Sequence, residues 1–311
     1  MSILYAAITD LVTSEGDVGA DPPRLPVFEQ LLAQATVRSV AGGWQAWALA
    51  QSGLTVSGAW PLARLLTEAS ARPSRSDARW WLATPMHLEA GMVTVRFDAR
   101  GPLRLDAEAL ERLVTRFARD WAGSGYQLVA YREALLLETP LLPAVDVLEP
   151  GPLAGTLVEE ARPAGDPSGA LWRLLTELQM WLHAVGVTGV DGRTLNALWL
   201  WGAGTGEVQG VPRWPQLEVD DPLLRALATG DAAKTTASGD RLVEWSLAAL
   251  WRAGRSFGDT DDLWWQPMLQ ELKEGRFTAA LVYIHGREYR LAPPPWWSRW
   301  RRPRPWWQVL A

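Results

Sequence analysis

The chain has 311 residues, enough to bury a large core in one or two domains. Its net charge of −5 argues against general nucleic-acid binding, and the absence of cysteine excludes thiolate catalysis, disulfides and thiolate metal sites. Apolar residues make up 48% of it, yet no apolar run approaches the roughly 18 residues that span a bilayer, so the expectation is a cytoplasmic globular protein with no transmembrane segment.

The apolar run 3–8 is predicted as a buried strand, and the opening lacks the basic region of a signal peptide. LPVFEQLLAQATV (25–37) has helical periodicity, and GGWQAWALAQSGL (42–54) is a second short helix bounded by glycine. The polar stretch 71–79 is a boundary. WWLAT (80–84) and MVTVRF (92–97) are predicted strands. A helix over 105–121 follows, capped by Asp106, with Leu110, Leu113, Val114, Phe117 and Trp121 on one stripe. YQLVAY (126–131) and EALLLET (133–139) are strands, and the Pro- and Gly-rich 142–169 leads out of the block. Asp166 or Ser168 can cap the next helix, whose stripe runs from Leu171 through Leu178 to Val185. ALWLW (197–201) is a buried strand, 221–230 and 261–275 are helices, and 278–286 and 287–292 pair as strands across a tight turn. The end, PPPWWSRWRRPRPWW, fits neither pattern. The fold class expected is α/β: a core of 1–75 and 155–290, an inserted α+β subdomain over 76–150, and a Trp/Arg/Pro-rich tail over 291–311.

Two biases stand out. There are 20 tryptophans, a density that reads as core and interface packing, and only Lys234 and Lys273 are lysines.

Three stretches carry a resemblance. In TVRFD, Arg96 and Asp98 precede a helix that leads to Tyr131, Arg132 and Glu133. Gly192, Arg193 and Asn196 precede WLWGAG. Leu49 and Gly53 fall in step within 42–54. These stretches resemble archaeal-type cofactor-independent phosphoglycerate mutases, metalloenzymes of the alkaline phosphatase superfamily. Through LWRLLTELQM, LWLWGAG and the Trp-Arg-Arg-Pro tail, the chain is still more similar to bacterial regulatory proteins of the pathogenicity-factor type. The resemblance implies an alkaline-phosphatase-like core. It also puts Trp44 where the nucleophilic Ser would stand, Gln45 at its Asp neighbour, Glu133 at a His, and Val185, Gly186 and Thr188 at a His, a Pro and an Asn. Of the paired metal carboxylates, at best Asp10 remains, and the late Asp and His ligands have no counterpart. Two-metal phosphoryl transfer needs several such ligands around ions about 3.5–4 Å apart. No cofactor or metal is therefore expected.

The candidate sites follow. A remnant cleft would hold Asp10, Trp44, Gln45, His183 and Asn196. His183 is either a proton shuttle or a surface residue, and His87 and His285 read as structural. The glycine turn of Gly202, Gly204 and Gly206, with Arg96 and Arg132, could bind an anion. Asp220 and Asp221 read as a helix cap before Pro222. In the tail, Trp296, Trp297, Arg299, Trp300, Arg301, Arg302 and Arg304 either face a membrane or partner, or dock on the body. The function expected is a non-catalytic regulatory or partner-binding protein, with an unidentified protein or a small anionic ligand as partner. The alternatives are a surviving mutase or metal-dependent phosphatase, and a peripheral binder of anionic membranes or anions.

Overall fold

The computed structural model describes residues 2–9, 22–72, 75, 77–140, 142, 145, 147–163, 165–166, 168–228, 239–292 and 303–310. Mixed α/β structure divides into two compact units. The first comprises 1–53, 212–220 and 234–311; the second comprises 54–211 and 221–233. Elements are numbered along the whole chain.

The first unit contains β1 (Ile3–Ile8), α1 (Pro26–Leu32), β2 (Thr36–Ser39) and α2 (Gly43–Gln51). It also contains β11 (Gln216–Glu218), β12 (Arg241–Trp245), α7 (Leu247–Arg252), α8 (Gln266–Lys273), β13 (Ala279–Ile284), β14 (Arg287–Leu291) and α9 (Trp306–Leu310). One six-stranded sheet runs in the order β11-β12-β1-β13-β14-β2. β1 pairs parallel with both β12 and β13, and an uninterrupted apolar strand suits such a central place. β13 and β14 form the expected hairpin, and the turn carries positive φ at His285 (48°) and Gly286 (72°).

The helix predicted over 25–37 stops at Leu32. Thr36 and Val37 are β-branched and pair with β14 as the edge strand β2 instead. The first amides of α1 are capped from a distance: Val27 N and Phe28 N each donate to the Asp261 carboxylate at 3.0 Å. Asp261 opens a π-type turn, Asp261–Trp265, that leads into α8. Phe28 and Trp265 then stack at 3.9 Å between ring centres. Their core also holds Leu4, Ile8, Val282, Tyr289, Trp306 and Leu310.

The second unit contains β3 (Thr55–Ser57), α3 (Leu62–Ala69), β4 (Ala78–Met86), β5 (Leu88–Ala90), β6 (Val95–Phe97) and α4 (Ala107–Asp120). β7 (Gln127–Tyr131), β8 (Ala134–Pro140), α5 (Ala170–Val185), β9 (Ala197–Trp201), β10 (Glu207–Gln209) and α6 (Pro222–Ala228) complete it. Its main sheet is antiparallel, in the order β7-β8-β4-β9. Trp81, Leu137 and Leu200 from that sheet pack with Leu113 and Phe117 of α4 and Leu178 of α5. The caps read from sequence form: Asp106 accepts from Ala109 N at 2.8 Å, and Asp221 accepts from Leu224 N at 2.8 Å. Asp166 accepts from Ala170, Leu171 and Trp172, closing the start of α5.

A strand expectation also needs correction. MVTVRF is not one strand: β5 and β6 form a hairpin whose turn holds Met92 and Val93. The compact units divide at Gly53/Leu54 and Val211/Pro212. β9 pairs with β4 and so joins ALWLW to the sheet of the block expected as an insertion.

Trp296, Trp297, Arg299, Trp300, Arg301 and Arg302 lie outside the described residues, and Arg304 is exposed. Beyond them, Trp306 and Leu310 are buried in the core of the first unit, and Trp306 Nε1 donates to Pro23 O at 2.9 Å. The segment 303–310 is thus docked on the body. Trp306→Ala should destabilise the protein by about 3–5 kcal/mol, as other large aromatic truncations do. Chemical denaturation checks this; an unchanged midpoint would mean that the docking contributes nothing.

Candidate functional site

The helix α2 carries the position that the resemblance assigns to a nucleophile. Gly42 (φ 89°) and Gly43 (φ 81°) turn the chain into it through the left-handed region. Trp44 and Gln45 are each 4% exposed, and Ala46, Trp47, Ala48 and Leu49 are buried as well. Trp47 anchors the helix to the sheet. Its Nε1 donates to Glu288 Oε2 at 2.7 Å, and Glu288 also accepts from Arg38 at 2.7 and 2.8 Å. Tyr5 and Tyr283 pack around the same indole. Burial, then the charges of Asp240 and Glu288, push the Tyr5 phenol up from its ordinary pKa. Asp10 lies outside the described residues.

His183 and Asn196 belong to the second unit, whereas Trp44 and Gln45 belong to the first. His183 is exposed near the end of α5. Asn196 holds the start of β5 in both directions: its Oδ1 accepts from Leu88 N at 2.7 Å and its Nδ2 donates to Leu88 O at 2.8 Å. His87 Nδ1 lies 2.7 Å from Thr194 O. Both side chains therefore act as struts between β5 and the loop before β9.

Beside them sits a charged cluster whose connection the sequence did not show. Arg193 is 5% exposed and Asp98 2%. Arg193 donates to Asp191 at 2.6 Å and to Gly101 O at 2.9 Å, and lies 3.5 Å from Asp98. Arg100 holds the other side of Asp98. Burial opposes ionisation of Asp98, but the Arg100 hydrogen bonds and the Arg193 charge outweigh it and keep the carboxyl below its usual range. For Asp191, burial is likewise outweighed by hydrogen bonds from Arg193. Asp98 and Arg193 stand at matched positions of the resemblance, and here they tie β6 to the loop before β9. The sequence signal was Asp191-Gly192-Arg193, a short turn that can bond to itself.

The glycine turn has a packing role. Gly206 N donates to Ala59 O at 2.8 Å, and Gly202 O accepts from Ala63 N at 2.9 Å. A Cβ at Gly204 or at Gly206 would lie 2.6 Å from Ala59 O, so the backbone of 59–60 packs directly against both glycines. Arg64, not expected there, donates to Gly206 O at 2.9 Å. Arg96 lies on β6 and donates to Gly155 O at 3.3 Å. Arg132 lies in the β7–β8 turn at φ 55°. The five residues of the expected anion site lie on three pieces of the unit: the turn after β9, β6 and the β7–β8 turn.

A concave feature of the second unit lies elsewhere. A groove of about 1290 Å³ runs between α4 and β7. Leu110, Val114, Ala118, Leu128 and Ala130 line it, with Arg72, Arg75, Arg132 and Glu111 among its charged residues. Among the described residues, β7 pairs with β8 alone, so its other edge faces the groove. The sequence signal was QLVAY, an edge strand without the charge or proline that usually blocks one.

No protein-family model and no curated protein matches the sequence. Among solved structures, the cofactor-independent phosphoglycerate mutase from Thermoplasma acidophilum DSM 1728 aligns with 94% of this chain and 89% of its own. The identity is 13% and the TM-score 0.30, values that carry no argument about activity. Among the described residues, no three His, Asp or Glu side chains are grouped as a metal site.

Two expectations follow. Trp44→Ala should cost about 3–5 kcal/mol by leaving a cavity, read by denaturation. Asp98→Asn should cost about 3 kcal/mol, the lower end for a broken buried pair, because Asp191 still holds Arg193. The pH dependence has a definite sign. Folded-state values below the ordinary range mean that Asp98 and Asp191 stabilise the fold above about pH 4. This contribution is lost as pH falls through their depressed values. Acid unfolding of Asp98→Asn should show a shallower loss than wild type over that window; identical curves would contradict the assignment.

Proposed function

We propose that this chain is a non-catalytic, partner-binding protein of regulatory type, built on a scaffold akin to that of the phosphoglycerate mutases. The observation that carries the reading is Trp44. At the position the resemblance gives to the nucleophile stands an indole, which cannot take up a phosphoryl group, and it is buried in the packing of α2. The neighbouring candidates support the same reading. Gln45 is buried beside it, Asn196 is engaged with Leu88, and Arg193 is held by Asp191 and Asp98. A binding role fits what the second unit offers instead, an apolar groove along an open strand edge. A small anion stays within this proposal as a ligand, as does a protein.

The test is turnover. Purified protein, supplied in turn with Mn²⁺, Zn²⁺, Mg²⁺ and Co²⁺, is assayed for conversion of 3-phosphoglycerate and for hydrolysis of a generic phosphomonoester. The expected outcome is no rate above the metal-only control and no change with Trp44→Ser. Metal-dependent turnover by the wild type would overturn the reading, as would two equivalents of tightly bound metal per chain.

A further inference from the structure

The β5–β6 hairpin presents an apolar tip to solvent. Gly91 N donates to Thr94 O at 2.8 Å, closing a turn whose two central residues are Met92 and Val93. Both side chains are displayed in full, Met92 at 102% and Val93 at 93% exposure. The tip is also held firmly. Phe97 is buried against Trp199, Asn196 grips Leu88, and Val158 N donates to Val95 O at 3.0 Å. That last bond places Glu159 and Glu160 beside the tip, with Glu89 on β5. None of these three acids makes a salt bridge among the described residues, whereas the Arg96 guanidinium is turned to Gly155 O.

The α4/β7 groove has the converse character. Its wall is apolar, and its acids are largely occupied. Glu138 is paired with Arg75 at 3.4 Å, Glu133 with Arg225 at 3.1 Å, and Asp106 caps α4. Arg72 and Arg132 line the groove with no salt bridge among the described residues, against Glu111 as the one unpaired acid there. We propose that the Met92–Val93 tip of one copy docks in the α4/β7 groove of a second copy of this chain. The apolar tip meets Leu110, Val114 and Leu128, and its acidic flank meets Arg72 and Arg132. The acidic flank also disfavours the other apolar surface open to such a tip, an anionic membrane. This association does not depend on whether the chain catalyses a reaction.

Sedimentation velocity over a concentration series of the full chain tests the proposal. Wild type should self-associate, and Met92→Asn/Val93→Gly should weaken the association by tenfold or more while melting no lower. Asn and Gly are both common turn residues and the two side chains they replace are fully exposed, so a loss would not come from misfolding. A charge exchange gives a second reading. Arg72→Glu/Arg132→Glu and Glu159→Arg/Glu160→Arg should each be weakened alone, and an equimolar mixture of the two should recover association. A wild type that stays monomeric up to about 1 mM would overturn the proposal, as would association indifferent to the tip. So would a monomer whose tip variant loses binding to vesicles of phosphatidylcholine and phosphatidylserine.

Discussion

A buried indole brings a large apolar face and one N–H that must find an acceptor, and this requirement organises both units. Trp47 reaches Glu288 on β14, which fixes α2 to its sheet. Trp81 reaches Thr139 across the β4–β8 ladder, and Trp201 reaches Thr84 across β4–β9. Trp199 donates to Leu148 O and Trp306 to Pro23 O, so each pins an irregular segment that would otherwise have few contacts. In every case the donor and acceptor belong to different elements. The rings supply burial, and the N–H decides which element a ring faces. Trp80 departs from the pattern: its Nε1 is buried without a hydrogen bond, and the structure offers no physical account of it.

The acids follow a related logic. Asp261 closes α1, Asp166 closes α5, and Glu288 joins a guanidinium to an indole. A carboxylate that accepts from backbone amides or a fixed arginine is stabilised in its charged form at that one place. It is then poorly suited to move a proton or to share a metal ion. The acidic side chains that shape these cores thus serve architecture, and they do so through bonds to backbone or to arginine.

Much of the local structure was legible, because it rests on signals that neighbours in sequence carry. The strand at Ile3–Ile8, the Asp106 cap and the turn at His285 each follow from a few adjacent residues. What escaped depends on distant partners. The short strand Thr36–Ser39 exists because β14 offers an edge, and Arg241–Trp245 because β1 does. The site was less legible than the fold. That Trp44 is buried follows from its place among apolar neighbours on α2. That Gly204 and Gly206 serve a close approach by 59–60 needed the position of a loop more than 140 residues earlier. The groove was hidden for the same reason, since an open strand edge is defined by what does not pair with it.

The order of strands in the first unit also sets a schedule. β1 is made long before its two neighbours, β12 and β13. The second unit, by contrast, draws nearly all of its residues from the continuous run 54–211. At ordinary rates of synthesis the gap between β1 and β12 corresponds to tens of seconds on the order of magnitude. Throughout that interval an apolar strand lacks both of the neighbours it pairs with in the finished sheet. A chaperone or the ribosome surface that covers exposed strands would shield β1 until those neighbours are made.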